Sequence, residues 1–247
     1  MQNHAFVSPD QIRARFSQAL SAMYQAEVPL YGELLELVAT LNRQTLADDP
    51  LLAEQLRQAG ELDRLNEERH GAIRLGSAAE LATMARLFAV LGMQPVGYYD
   101  LASAGVPVHA TAFRPLHEDA LRRSPFRVFT SLLRLELIGD AALRQQTEQI
   151  LAGRQIFTPG ALALIERFEQ QGGLTEPEAQ AFIEQALETF RWHSQAGVSA
   201  AVYQQLQAQH RLIADVVAFK GPHINHLTPR ILDIDAAQAA MPRHGMA

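Results

Sequence analysis

The sequence predicts an α+β fold in which a mixed sheet is preceded by helices and interrupted by a helical insertion. Apolar residues recur at three- and four-residue spacing through the first sixty positions, which is typical of amphipathic helices. Residues 69–133 then read as strand, helix, strand, strand, strand, because the strand segments are rich in β-branched and aromatic residues. Residues 139–208 return to helical spacing. The 247 residues are enough for one large domain, and we assign the chain to one.

Composition excludes several classes of function. The net charge of −6 argues against nucleic acid or an anionic membrane as the main partner. The chain has no cysteine, so any metal must be bound by histidine, aspartate or glutamate. It has neither an apolar run of membrane-spanning length nor a basic segment leading into an apolar one, so we expect a cytoplasmic protein that does not insert into a membrane.

Three helices are predicted before the first strand. Ser8 and Gln11 have the spacing of a capping box, which starts a helix that ends near residue 25. A helix over residues 50–59 ends at Gly60. Between them, a helix over residues 28–43 would have Tyr31 and Val38 beside an inner stripe formed by Leu30, Leu34, Leu37 and Leu41.

A strand over residues 69–75 places His70, Ala72 and Arg74 on one face. The Cα atoms of His70 and Arg74 would be about 13 Å apart, which leaves room for a small dianion between their side chains. A metal on His70 could bind one end of such a molecule and Arg74 the other, because guanidinium pairs with carboxylate through two hydrogen bonds. The alternative is a surface strand whose histidine and arginine are solvated.

The segment that follows supplies a helix and three strands. Ser77 and Glu80 predict a second capping box at the start of a helix over residues 77–92. Strands are predicted over residues 96–101, 108–114 and 126–133.

The helical insertion is predicted to contain four helices. They cover residues 141–149, 159–170, 177–192 and 202–210, and Thr175 caps the third. We interpret His193 and His210 in this region as side chains without a functional role.

Two histidines lie close together near the end of the chain, after a turn at Gly221 and Pro222. A strand here would place His226 on one face together with Ile224, Thr228 and Arg230. A histidine held rigidly by a strand is a candidate metal ligand, whereas the alternative is a solvated turn and an ordinary strand. A helical pattern begins at Asp235.

Together these segments resemble a known family. The stretches EERHGAIRLG, VGYYDLA, VPVHATAFRP, SPFRVFTSLLR and FKGPHINHLTPR, with VPLYGELLELV near the start, resemble the bacterial 2-oxoadipate dioxygenase/decarboxylase family in order along the chain. The resemblance implies a vicinal-oxygen-chelate-like fold, in which paired βαβββ modules enclose a metal. Residues 1–60 would then be N-terminal helices, 61–138 the first module, 139–212 the helical insertion and 213–247 the start of the second module.

The resemblance also implies a site. The family binds Fe(II) through two histidines and one glutamate, and its motifs match His70 and His226, with His223 as the rival for the second histidine. Arg74 matches the arginine that binds the substrate carboxylate, so we take Arg74 as a catalytic residue and Arg74, His70 and His226 as substrate-binding. The family's glutamate ligand lies on a strand downstream of the second histidine, so the third ligand is expected beyond the C-terminus. Glutamates that are present, such as Glu67, Glu68 and Glu136, do not lie in the matching motif.

The function implied is oxidative. By resemblance, 2-oxoadipate and O2 become 2-hydroxyglutarate and CO2 in lysine catabolism. Two alternatives stay open on the sequence: a metal-dependent lyase or hydrolase on the same fold, and a truncated, catalytically incomplete fragment. A site of two histidines without the carboxylate is expected to bind iron weakly.

Overall fold

A five-stranded mixed sheet lies at the centre of the protein in a computed structural model that describes residues 5–246. The strands are β1 (Arg69–Leu75), β2 (Gln94–Asp100), β3 (Val108–Arg114), β4 (Phe126–Leu133) and β5 (His226–Pro229). Their order across the sheet is β2-β3-β4-β1-β5. The β1 strand is parallel to β4 and antiparallel to β5, so two distant parts of the chain meet along it. The predicted α+β class with a mixed sheet is confirmed.

The helices surround this sheet in the predicted places. They are α1 (Pro9–Glu27), α2 (Leu30–Asp48), α3 (Pro50–Gln58), α4 (Ala78–Val90), α5 (Glu118–Arg123), α6 (Ala141–Ala152), α7 (Pro159–Gln171), α8 (Glu176–Phe190), α9 (Ala200–Gln209), α10 (Arg211–Ala218) and α11 (Ile234–Ala240). The predicted capping boxes at the starts of α1 and α8 are both present. Helices α6 to α10 lie between β4 and β5, where the helical insertion was expected. Across residues 5–246, no helix is both long and apolar enough to cross a bilayer.

The structure differs from prediction in three helical regions. The sequence did not predict α5 or α10, which are short and begin close to other elements. The predicted stripe of α2 is wrong in part, because Leu30 is 45% exposed while Tyr31 and Val38 are buried. The ring of Tyr31 packs edge-on against Tyr24 of α1, with ring centroids 4.8 Å apart, so Tyr31 belongs to the buried face of α2.

The capping box predicted at the start of α4 is incomplete. The hydroxyl of Ser77 accepts from the backbone of Glu80 as expected. The carboxylate of Glu80 does not return to Ser77; it accepts from the backbone N–H of Gly76 and pairs with Arg154, both at 2.8 Å. An arginine from the helical insertion therefore redirects the glutamate.

The two faces of the sheet have different surroundings. The face carrying Ile73, Leu75 and Val128 is buried against helices α1, α4 and α8. In this core, Phe16 of α1 and Phe190 of α8 pack edge-on with their ring centroids 5.4 Å apart. The opposite face is partly exposed. We call it the open face and define it by His70, Ala72, Arg74, Arg127, Phe129, His226 and Thr228, which the strand pairing places on one side.

The segment that leads into β5 differs from the predicted strand at Ile224. Ile224 is buried and does not share a face with His226. Gly71 on the buried side leaves room for it, since a Cβ atom there would lie 2.9 Å from Cδ1 of Ile224. Residue 224 bonds through its backbone N–H to Phe190 rather than to β1, so the regular alternation begins only at His226.

Arg13 is a buried arginine that connects α1 to the C-terminal end of α4 and to α5. Its guanidinium donates to the backbone oxygens of Leu91, Ala120 and Ser124 at 2.7, 2.6 and 3.1 Å, and to Asp10 at 2.8 Å. The side chain is fully buried. Without the guanidinium, the oxygen of Leu91 would lose the donor that it has here, whereas the oxygens of Ala120 and Ser124 would each keep one backbone donor.

We therefore expect Arg13→Leu to lower the free energy of unfolding by about 3 kcal/mol, because one buried carbonyl group is left unsatisfied and two others each lose a hydrogen bond. Arg15→Leu is the matched control on the same helix, since Arg15 is 40% exposed and pairs only with an exposed glutamate. Urea unfolding of both variants measures the difference. Equal stability of the two variants would contradict the anchoring role of Arg13.

Candidate functional site

The strand pairing brings His70, Arg74 and His226 together on the open face. Within β1, His70 and Arg74 point to the same side because they are an even number of residues apart. On β5, His226 is paired with Ala72, and residues paired across an antiparallel ladder project to the same side. His226 is thus a diagonal neighbour of His70, at a Cβ separation of about 7 Å or somewhat less.

His70 is hydrogen-bonded to a buried carboxylate. Its Nε2 lies 2.8 Å from Oε1 of Glu68, whose side chain is 3% exposed. Burial alone would raise the pKa of Glu68, but the hydrogen bond and charge of His70, followed by the charges of Arg230 and Arg127, lower this pKa to about 2. An ionised carboxylate can only accept, so Nε2 of His70 is the donor.

His226 is oriented by its neighbour in the chain. Its Nδ1 lies 2.7 Å from Oδ1 of Asn225, and the backbone N–H of Asn225 donates to the oxygen of Ala72 at 3.1 Å. The amide oxygen accepts, so Nδ1 donates and Nε2 retains its lone pair in the neutral ring. Nε2 of His226 has no hydrogen-bond partner within the described part of the chain, which leaves it available to a ligand.

Arg74 is a half-buried cation for which the described residues supply no ion-pair partner. No ion pair or side-chain hydrogen bond of Arg74 is found among residues 5–246. Burial lowers the pKa of the Arg74 guanidinium, Asp215 raises it and Arg211 lowers it further. An arginine remains charged despite such shifts, so the open face has a positive group that an anion could neutralise.

Arg230 follows His226 by four residues, as Arg74 follows His70, but its environment is different. Arg230 donates to Glu61 at 2.7 Å and to Glu68 at 3.3 Å, so its charge is already balanced. Of the two arginines that follow a strand histidine by four residues, only Arg74 remains unpaired among the residues described.

His223 lies outside the β1–β5 ladder and close enough to Arg74 to be affected by its charge. Its ring packs perpendicular to Trp192 at 4.7 Å, and burial, followed by the charge of Arg74, lowers the pKa of His223. His223 precedes β5 in the chain and is not paired with β1. His193 lies 3.6 Å from Glu188, and His210 caps α10.

The donor atoms fit two positions of a metal site. His70 and His226 each have one ring nitrogen bonded to an oxygen acceptor, which is the arrangement that orients histidine ligands. Two imidazoles on one face fit part of the two-histidine, one-carboxylate set that binds Fe(II). Among residues 5–246 no group of three His, Asp or Glu side chains converges on one point, so a third ligand is not supplied there.

The sequence did not identify the roles of Glu68, Arg127 and Asn225. The Glu-x-His spacing before and within β1 was a usable signal, because it places both side chains on the same face. Arg127 is paired with His70 only through the parallel register of β4 with β1, which sequence periodicity does not specify.

These features define an α+β protein with a candidate metal-binding and anion-binding face on a mixed sheet. The family model for 2-oxoadipate dioxygenase/decarboxylase matches residues 16–247, and the chain belongs to that family. A 2-oxoadipate dioxygenase/decarboxylase from Pseudomonas putida is 65% identical over 246 residues, covering 100% of this chain and 53% of that protein. The chain therefore spans about half the length of the curated relatives that it matches.

Solved structures agree with this assignment. The crystal structure of the hydroxyglutarate synthase from Pseudomonas putida in complex with 2-oxoadipate has a TM-score of 0.95 and 67% identity, covering 97% of this chain and 53% of that one. A protein from Ralstonia eutropha assigned to the glyoxalase superfamily has a TM-score of 0.60 at 20% identity, covering 79% of this chain and 64% of that one. The second likeness shows the fold alone.

The lowered pKa of Glu68 makes stability depend on pH. A carboxyl whose pKa falls from 4.5 to about 2 on folding stabilises the folded state above pH 4.5, and this contribution is lost as pH falls toward 2. We expect Glu68→Gln to cost about 3 kcal/mol at pH 7 and less than half of that at pH 3.

Glu61→Gln is the control for this prediction. Glu61 also pairs with Arg230 but is 28% exposed, so its loss is expected to cost less than about 1 kcal/mol. Urea unfolding at pH 7, 5 and 3 measures both variants. A cost for Glu68→Gln that does not shrink toward pH 3 would contradict the balance of charges around this carboxylate.

Proposed function

We propose that this chain contributes to the active site of an Fe(II)-dependent dioxygenase that converts 2-oxoadipate and O2 into 2-hydroxyglutarate and CO2. The observation that carries the proposal is the presence of His70, His226 and an unpaired Arg74 on one open face. The names of the relatives and the 2-oxoadipate complex of the Pseudomonas putida protein support it. Lysine catabolism and a cytoplasmic location remain predictions of the family resemblance and the composition.

The proposal also covers how the strands are grouped into modules. Strands β1 to β4 with α4 are proposed to form one βαβββ module of the vicinal oxygen chelate type, and residues 213–247 to begin a second. The position of β5 beside β1 supports this, since it extends the sheet with a strand from the second part.

His70 and His226 are the proposed iron ligands. We place the third ligand, a glutamate, in the part of the relatives' length that this chain does not span. Bound iron would supply neighbouring coordination positions for the 2-oxo acid and for O2. The chain's own contribution is to hold the two imidazoles rigidly, through the ladder between β1 and β5 and through Glu68 and Asn225.

Arg74 is the proposed contact for the far carboxylate of the substrate. Four residues of strand separate it from His70, which is about 13 Å between Cα atoms. A 2-oxo acid with a single carboxylate would leave the guanidinium without its partner, so Arg74 would favour diacids. Asp215 lies close enough to raise the pKa of Arg74 but forms no ion pair with it among the residues described.

Oxygen consumption tests the reaction class. For a protein that contains this chain together with the remaining part of the relatives' length, we expect O2 uptake and CO2 release in a 1:1 ratio with Fe(II) and 2-oxoadipate, and 2-hydroxyglutarate as product. A lyase or hydrolase on the same site would transform substrate without consuming O2. Product formation that continues under anaerobic conditions would contradict the dioxygenase assignment.

If Arg74 binds the substrate and not the metal, its removal should weaken substrate binding without changing iron binding. Arg74→Ala should weaken 2-oxoadipate binding by about 10- to 100-fold, because a charge-assisted contact is lost, while iron binding stays unchanged. Calorimetry with 2-oxoadipate and an iron assay measure the two effects. Arg86→Ala is the control, since Arg86 pairs with Glu169 on the helical side. Loss of iron in Arg74→Ala would contradict the assignment.

The choice between the two neighbouring histidines is tested by substitution. Anaerobic Fe(II) titration should show binding weakened by at least about 10-fold in His226→Ala, because a direct ligand is lost. His223→Ala should bind Fe(II) as the unaltered chain does, because His223 lies outside the β1–β5 ladder. The reverse pattern would assign the second position to His223.

A further inference from the structure

We infer that Glu68 is the positioning residue for His70, setting the tautomer and direction of its imidazole so that the lone pair is on Nδ1. The inference rests on the proposed function in one respect, namely that His70 is a metal ligand. Glu68 itself does not contact substrate or metal in this assignment. The geometry around the carboxylate carries the argument.

The carboxylate of Glu68 is held from two sides. Arg127 on β4 lies 3.6 Å from Oε1, and Arg230 after β5 lies 3.3 Å from Oε2. Arg230 is held in turn by Glu61 at 2.7 Å. Both strands that flank β1 therefore contribute a cation to the same buried acid, which fixes its position relative to the sheet.

The contact with His70 is the shortest of those that Glu68 makes. Its 2.8 Å distance is that of a charge-assisted hydrogen bond, whereas the two arginine distances are longer than good hydrogen bonds. A carboxylate that only balanced the arginines would not require the imidazole at this distance. With a side-chain exposure of 3%, the acid is also shielded from the solvent that weakens surface ion pairs.

The chemical consequence concerns which ring nitrogen is free. A carboxylate that accepts from Nε2–H stabilises that tautomer and leaves Nδ1 as the donor atom for a ligand. Carboxylates in this position also raise the basicity of a histidine ligand, and their loss weakens metal binding by about 10- to 100-fold. Because Arg230 follows β5 directly, the orientation of His70 is tied to the docking of β5.

The tautomer can be measured without any substitution. In the metal-free chain at pH 8, the ¹⁵N shifts of His70 should be those of the Nε2–H tautomer, with the signal assigned by its absence in His70→Gln. An Nδ1–H tautomer in the unaltered chain would overturn the inference. In Glu68→Ala the ring should shift toward a mixture of tautomers, while it should stay unchanged in Glu169→Gln, whose carboxylate pairs with Arg86 away from this cluster.

Metal affinity supplies the second measurement. Anaerobic titration with Fe(II) should show affinity lowered by about 10- to 100-fold in Glu68→Gln and unchanged in Glu169→Gln. His70→Ala shows whether the site is the proposed one. If His70→Ala has no effect, the metal role in the proposed function fails. If His70→Ala weakens binding but Glu68→Gln does not, only the positioning role of Glu68 is overturned.

A direct ligand role for Glu68 is a separate outcome. The absorption spectrum of the Co(II)-loaded chain should keep its shape in Glu68→Gln, because the ligand set is unchanged. A changed spectrum, with binding lost as fully as in His70→Ala, would mean that Glu68 coordinates the metal and would overturn the positioning role.

Discussion

The architecture depends on one constraint, which is that β1 is buried on one face and paired on both edges. Gly71, Ile73 and Leu75 pack against helices, so the alternation of a strand leaves His70 and Arg74 on the other side. A slip of one residue would reverse the faces and place a guanidinium in the apolar core. The pairing with β5 then adds His226 to the same face across more than 150 residues of chain.

The arginines on and beside this face are of two kinds, those paired with a carboxylate and one that is not paired within the described chain. Arg127 and Arg230 surround the buried Glu68, so they serve the structure and the orientation of His70. Arg74 lies near Asp215 but forms no ion pair within the described chain, so its charge is available. The face can therefore bind an anion at Arg74 without breaking an existing ion pair. A free charge at Arg74 is what binding of the proposed diacid substrate would require.

The sequence predicted those features that local chemistry determines. The bounds of β1, β3 and β4 were predicted to the residue, because alternation and turn residues mark them. The capping boxes at Ser8 and Thr175 were equally local. Features that depend on distant contacts were not predicted: Arg13 bonded to three carbonyls, Glu80 redirected by Arg154, and Glu68 between Arg127 and Arg230. The short helices α5 and α10 are too brief for a clear period to emerge.

The central claim is that one face of the sheet holds both a metal and a diacid. An anaerobic crystal structure of the chain with Fe(II) and 2-oxoadipate tests it most directly. The account predicts iron bound to ring nitrogens of both His70 and His226, with one substrate carboxylate against the guanidinium of Arg74. Iron bound at His223, or 2-oxoadipate bound away from Arg74, would contradict it.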